Sequence, residues 1–335
     1  VRRAKGHSHP LCAEQHRTLN SDNKSVAQPL SIENSEWTYL ITTRTAGSRL
    51  WLIHNRELEE RILGCLARYQ EIHQAEIFSF IIMGNHYHLI ARFPKQNRAQ
   101  FMRDFNSSVA RIVGRYVGEH GRRSVWARRY SYQILPTPED IKHWFYYVAM
   151  NPVHSGLVSH PQHYEAFNSF SDAAAGISRE YKWLDWNAYF KRRRHNQTIS
   201  AEGFTKTYTL RFARLPSIKC SSNDEYRIKL LEELESRVAM VVREKKRSGN
   251  FFLGNRLLRA QVVGSKPVVT KTSRRHSFRP IVLSLCHKAK LATLSVYFQT
   301  LRAFKMASSN FERHLRDYII FPIGTYPPPH TSCVR

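Results

Sequence analysis

The stretch that most limits how this chain can fold lies between residues 75 and 93. Ala75 to Met83 (AEIFSFIIM) and His86 to Phe93 (HYHLIARF) are two runs rich in apolar, β-branched and aromatic residues, separated only by Gly84-Asn85. A two-residue turn of that composition between two such runs specifies a tight β-hairpin. A sheet built around a hairpin is mostly antiparallel, and the flanking segments arrange themselves about it. Trp37 to Arg44 (WTYLITTR) reads as a strand. Asn55 to His73 reads as a helix, with Leu58, Ile62, Leu66 and Tyr69 on one face and Asn55 as its cap. Asn97 to Gly118 repeats the helical pattern through Phe101, Phe105, Val109, Ile112 and Tyr116, and Val125 to Leu135 alternates as a fourth strand. Thr137-Pro138-Glu139-Asp140 opens a third helix, with a capping hydroxyl, a proline in the first turn and acids at the positive end. Asn151-Pro152 ends it. The order β-α-β-β-α-β-α gives an α+β, ferredoxin-like fold: an antiparallel sheet with helices packed on one face.

The remainder of the chain is less patterned. Residues 1–36 are polar and aperiodic and read as a flexible tail. The folded unit is expected over 37–170, a linker over 171–223, a basic and mainly helical region over 224–320, and a second tail over 321–335. Asp224 to Lys246 is the clearest helix of the second half, and Pro280 to Ser308 reads as one long helix or a helical pair. The chain carries 52 Lys and Arg against 26 Asp and Glu. Residues 201–335 hold 25 of the bases and 9 of the acids, and from Lys245 to Asn310 there are 14 bases and no acid. That imbalance calls for a polyanionic partner, nucleic acid before membrane, because no basic amphipathic helix or lipid anchor is evident. No apolar run reaches the roughly 18 residues of a membrane span. The five cysteines are scattered, and the chain opens without a charged-then-apolar leader, so a reducing, cytoplasmic setting is expected.

Two groups of residues carry chemistry. His86 and His88 are two apart on a strand and point to the same face, which suits a shared divalent metal. Taken alone, such a pair is a weak signal, more often two surface or hydrogen-bonded histidines than a metal site. On the helix from Thr137 to Asn151, His143, Tyr147 and Asn151 recur every four residues along the edge of the apolar face. A tyrosine at a core border is ordinarily packing, and Tyr146 competes for any role given to Tyr147. Arg122, Arg123, Arg128 and Arg129, beside Trp126, Tyr130 and Tyr132, interleave cations with aromatics as a nucleic-acid surface does. They are equally the alternate positions of a strand whose aromatics are core. In the acid-free stretch, Arg274 and Arg275 are candidate phosphate contacts.

Three segments resemble a known family. Met83-Gly84-Asn85-His86-Tyr87-His88-Leu89-Ile90 is similar to the histidine-pair strand of the single-tyrosine HUH transposases, and within them of the REP-associated and IS200-like tyrosine transposases. Trp126-Ala127-Arg128-Arg129-Tyr130 resembles their following strand. Tyr147 to Val158 (YVAMNPVHSGLV) resembles their tyrosine segment, with Ser155 where alanine is usual. The likeness covers residues 37–170 and leaves 200–335 uncovered. It implies that Tyr147 attacks a phosphodiester of hairpin-bearing single-stranded DNA, keeping the 5′-phosphate as a phosphotyrosine and releasing a 3′-hydroxyl. It implies Mg²⁺ or Mn²⁺ on His86, His88 and Asn151, proton transfer assisted by His143, and a possible homodimer. A domesticated relative that binds repeated palindromes without mobilising DNA is the alternative.

Overall fold

The computed structural model describes residues 29–117, 124–267, 279–312 and 319–328. Its centre is a five-stranded sheet in the order β2-β3-β1-β4-β7, formed by β1 (Thr38–Arg44), β2 (Glu76–Met83), β3 (His86–Arg92), β4 (Ser131–Leu135) and β7 (Ile281–Val282). The first four are antiparallel to their neighbours, and β7 joins β4 in parallel. The hairpin turn falls at Gly84-Asn85, with Met83 opposite His86. The fourth strand is shorter than the expected 125–135. Trp126 forms only an isolated bridge to Thr45, and its indole N–H donates to Asn106 O, so the chain joins the sheet only at Ser131.

The crossover helices α1 (Arg56–His73) and α2 (Arg98–Val117) share one face, as the split βαβ order requires. Tyr39, Ile41, Phe80 and Leu89 of the sheet meet Leu66 of α1 and Phe101 and Phe105 of α2 in that layer. Asn55 caps α1 by accepting from Leu58 N at 2.8 Å. The third helix, α3 (Pro138–Ala149), is closed by the expected capping box between Thr137 and Asp140. It lies on the opposite face, so the expectation of helices on one face holds for the crossover pair alone. There Leu40, Phe78, Ile81 and Ile90 meet Phe145, Tyr146 and Val148. This second layer is completed by α7 (Asn223–Arg247), whose Leu230 and Leu234 are fully buried against α3. A single turn, α4 (Asn151–His154), continues from α3 past a kink at Met150, and α5 (Phe170–Ala175) adds Phe170 to the layer.

Several expected boundaries are corrected. Residues 29–36 are packed. Ile32 and Glu33 are buried, and Glu33 N donates to Gly324 O at 2.7 Å, so the 319–328 segment of the expected second tail is docked too. The Glu33 carboxylate meets the Arg98 guanidinium at 3.1 Å with both side chains sealed from water. Residues 1–28 and 329–335 lie outside the described residues. The expected linker over 171–223 is folded: β5 (Arg179–Leu184) and β6 (Thr205–Leu210) form an antiparallel ribbon, joined through α6 (Trp186–Arg193). The ribbon lies directly on α1 at Gly64, where a Cβ would stand 2.4 Å from Lys182 O. Pro280 to Ser308 is not helical throughout, because Ile281 and Val282 are spent on extending the sheet and the last helix, α9 (His287–Glu312), starts only after them. A short helix, α8 (Gly254–Arg259), lies between α7 and β7. Among the described residues no helix is long and apolar enough to cross a membrane.

Candidate active site

Strand alternation decides what faces α3. In β1, Thr42 and Arg44 share the side of Leu40; in β3, His86 and His88 share the side of Ile90. The register sets Thr42 opposite His88 and Arg44 opposite His86. Their neighbours Thr43 and Tyr87 point the other way, where the two hydroxyls bond at 2.8 Å beneath α2. The two imidazoles thus stand side by side, with ring centres 4.9 Å apart.

The turn before them is tightly held. A Cβ on Gly84 would lie 2.8 Å from Leu50 Cδ2 and 2.9 Å from Ile53 Cγ2, so any side chain there would displace Leu50 and Ile53. Asn85 Nδ2 donates to Ser48 O, which turns its Oδ1 to His86 Nδ1 at 2.7 Å. A carbonyl oxygen can only accept, so Nδ1 of His86 carries a proton. Nδ1 of His88 is held by Thr42 Oγ1 at 2.8 Å. Burial, reinforced by Arg44, lowers the pKa of His88 to about 4, so it is neutral at physiological pH, as a metal ligand must be.

From the other side, α3 delivers Tyr147. Its ring packs against His88 with centres 6.1 Å apart, against Trp144 at 4.8 Å, and in a stack with His154 at 5.8 Å. Burial raises the pKa of its hydroxyl, and the Arg44 guanidinium acts against that rise. Tyr146, the rival, is fully buried in the core and donates to Leu230 O at 3.3 Å. Its pKa is driven far up by burial, and it has no access to the cleft. One turn on, Asn151 is buried with its Oδ1 3.5 Å from Ser155 Oγ.

His86, His88, Tyr147 and Asn151 line one open cleft, together with Arg44 and His154. Its volume is ≈ 1810 Å³, beyond the roughly 300–1,000 Å³ of small-molecule pockets and suited to a polymer. The second half of the chain supplies a wall. Leu253 N and Gly254 N donate to the carbonyls of Gly156 and Leu157, and Leu50 exchanges backbone bonds with Gly264 and Ser265. Phe251 on that wall is 90% exposed. The donor set of two imidazoles and one amide oxygen fits a divalent cation. Among the described residues no group of three or more His, Cys, Asp or Glu forms an alternative centre.

His143 is not brought to the cleft. It sits among Asp140, Glu233 and Arg237, where burial and Arg237 lower its pKa. Arg128 is exposed and close enough to Arg44 to repel it; Arg129 is exposed and lies over the half-buried Tyr130. Arg122, Arg123, Arg274 and Arg275 lie outside the described residues. Sequence reasoning missed Thr42, Arg44 and His154. The alternation Leu40-Thr42-Arg44 carried the signal for the first two, once the face of Leu40 is known.

Residues 39–150 match the family model described as Transposase IS200 like. The chain is 21% identical over 155 residues to the REP-associated tyrosine transposase of Escherichia coli (strain K12), an alignment covering 46% of this chain and 86% of that protein. A solved structure of a REP-associated tyrosine transposase bound to a REP hairpin aligns at 16% identity, over 42% of this chain and 79% of its own, with a TM-score of 0.36.

Proposed function

From the match of residues 39–150 to the family model described as Transposase IS200 like, we propose that this chain cleaves and rejoins single-stranded DNA beside a hairpin through Tyr147. The Tyr147 oxygen attacks phosphorus; the new O–P bond forms as the P–O3′ bond breaks, and a proton reaches the departing 3′-oxygen. The phosphotyrosine conserves the energy of the broken bond, so the reverse attack by a 3′-hydroxyl rejoins strands without a nucleotide cofactor. His86, His88 and Asn151 would hold Mg²⁺ or Mn²⁺, which when bound would offset charge on the scissile phosphate. Arg44 favours the tyrosinate that must form. His154, stacked on Tyr147, fixes the ring; His143, expected to assist proton transfer, does not line the cleft.

The observation that carries this reading is the pairing of Tyr147 with His88 across one open cleft, while Tyr146 is sealed in the core. The wall supports single-stranded DNA as the polymer, since an exposed ring such as Phe251 offers a base a stacking surface. The test is a denaturant-resistant adduct with a hairpin-ended single-stranded oligonucleotide in Mg²⁺ or Mn²⁺. Tyr147→Phe abolishes the adduct and keeps binding. Tyr146→Phe keeps the adduct. An adduct that survives Tyr147→Phe and maps to Tyr146 refutes the assignment. Binding without any adduct in the unaltered chain selects the domesticated palindrome binder.

A further inference from the structure

Helix α9 buries one side and leaves a patterned stripe on the other. Thr293, Tyr297 and Ala307 are buried, and Leu294 and Leu301 pack against the layer that holds α1 and α2. The Tyr297 hydroxyl accepts from Leu30 N at 3.0 Å, and Phe304 meets Phe321 with ring centres 5.6 Å apart. The opposite side presents Lys288, Leu291, Ser295, Phe298, Arg302 and Lys305, all exposed. Their spacing runs three, four, three, four, three, the interval at which one helix meets another along a seam. At 1.5 Å per residue the seam is about 26 Å long. Its centre is apolar and its ends are cationic, the core-and-rim arrangement of a protein interface. Leu285 before the helix and Met306 beside Lys305 extend the apolar area and are 66 and 70% exposed.

Three observations choose the occupant. No acid precedes Glu312 in α9, and among the described residues no ion pair engages Lys288, Arg302 or Lys305. The complement therefore carries carboxylates at both ends. A second copy does not fit. A parallel pair sets each lysine against itself, and an antiparallel pair sets Lys288 against Lys305 and Leu291 against the Arg302 guanidinium. Nor does the chain's own N-terminal end complement the seam, since residues 1–28 hold 5 Lys and Arg against 2 Asp and Glu. Phosphates would satisfy the cations but leave Leu285, Leu291 and Met306 in water.

We propose that this seam docks an acidic amphipathic helix of a partner protein, with apolar side chains over Leu291 and Phe298 and carboxylates over Lys288, Arg302 and Lys305. The site does not depend on Tyr147 being a nucleophile. Helix α9 packs on the α1–α2 side of the sheet and the cleft lies on the other, so a partner held there leaves the cleft open.

The test uses the full chain and a fluorescein-labelled helical peptide of about five turns, with leucines over the apolar centre and glutamates over the cationic ends. A copy with every glutamate replaced by lysine is the control. Anisotropy should show binding of the acidic peptide and none of the basic one. Lys288→Glu/Arg302→Glu/Lys305→Glu should invert that preference. Leu291→Ser/Phe298→Ser should weaken the acidic peptide by at least about tenfold, equal to 1.4 kcal/mol. All five changes are at exposed positions, and unchanged urea midpoints confirm the fold. Adduct formation on a hairpin-ended oligonucleotide stays at the level of the unaltered chain in both variants. No binding of the acidic peptide, or no inversion by the charge reversal, overturns the proposal. Polyglutamate that binds as tightly as the peptide overturns it in favour of charge alone. Loss of oligonucleotide binding or adduct in the charge-reversed chain overturns it in favour of nucleic acid. Binding of phosphatidylserine vesicles that both variants abolish, without binding of the peptide, overturns it in favour of a membrane. A dimer in sedimentation that Leu291→Ser/Phe298→Ser dissociates overturns it in favour of a second copy.

Discussion

Cutting the chain after Ile199 would leave the matched residues 39–150 intact in sequence and yet strip α3 of its support. Helix α7 buries Tyr226, Leu230, Leu234 and Val238 to 2, 0, 0 and 6% exposure in the layer that holds the tyrosine helix. At about 1.5–3 kcal/mol for each fully buried apolar side chain, the four contribute roughly 6–12 kcal/mol. A typical domain has about 5–15 kcal/mol in total. The cut also removes Leu210 and Leu215, both 1% exposed, and the carbonyl of Leu230 that accepts from Tyr146. The 1–199 chain is therefore expected to lose its cooperative urea transition and to bind a hydrophobic dye. Leu230→Ala in the full chain is the graded version. It costs about 2–5 kcal/mol and lowers the urea midpoint without changing the slope. A 1–199 chain that unfolds sharply at the midpoint of the full protein would show that the burial arithmetic is wrong and that the second half is a separate body.

Other perturbations reach the site and its frame directly. Glu33→Gln leaves the sealed Arg98 guanidinium without its carboxylate, and urea melts should report a loss of about 3–5 kcal/mol. His86→Ala and His88→Ala should each abolish cation-dependent adduct formation, and EDTA should do the same to the unaltered chain; full cleavage in EDTA refutes the metal. In metal-stripped protein, His88 has a folded pKa of about 4 against 6.5 when unfolded, with Arg44, His86 and Tyr147 facing it. The folded state binds fewer protons in that window. Stability is therefore full above pH 6.5 and falls as pH drops toward 4, by about 3 kcal/mol at 1.36 kcal/mol per unit, and His88→Gln should flatten that fall in pH-dependent melts. Arg44→Met removes the cation that opposes the raised pKa of Tyr147, so the pH profile of adduct formation should move to higher pH.

The hairpin, both crossover helices and the capping box of α3 were legible because each rests on local chemistry: a Gly-Asn turn, a 3.6-residue stripe, a threonine three residues before an aspartate. Spacing on a single element brought out the histidine pair and the His143-Tyr147-Asn151 row, but the choice of Tyr147 over Tyr146 rested on the likeness to a known family. What the sequence hid depends on contacts between distant residues. Periodicity shows that α3 has an apolar stripe but not which face of the sheet receives it. Glu33 reads as one more polar residue of a tail, because its value lies in Arg98, 65 positions away. The 171–223 segment passed for a linker since its strands are six residues long, half-exposed, and interrupted by a basic run. The two-residue strand at Ile281–Val282 sits beside a long helical pattern and was absorbed into it. Arg44 ends a strand of threonines and apolar residues and becomes part of the site only through its pairing with His86.

Tyr147 rests against His88 of its own chain. A site whose two halves travel on one polypeptide gives a turnover per molecule that does not fall on dilution, whatever assembly the protein forms. Genetic complementation tests this. An equimolar mixture of Tyr147→Phe and His88→Ala chains holds every functional group once, yet no chain in it holds both, so the mixture should stay inactive at any concentration. A partner that traded helices would restore up to half of the sites, with a second-order onset.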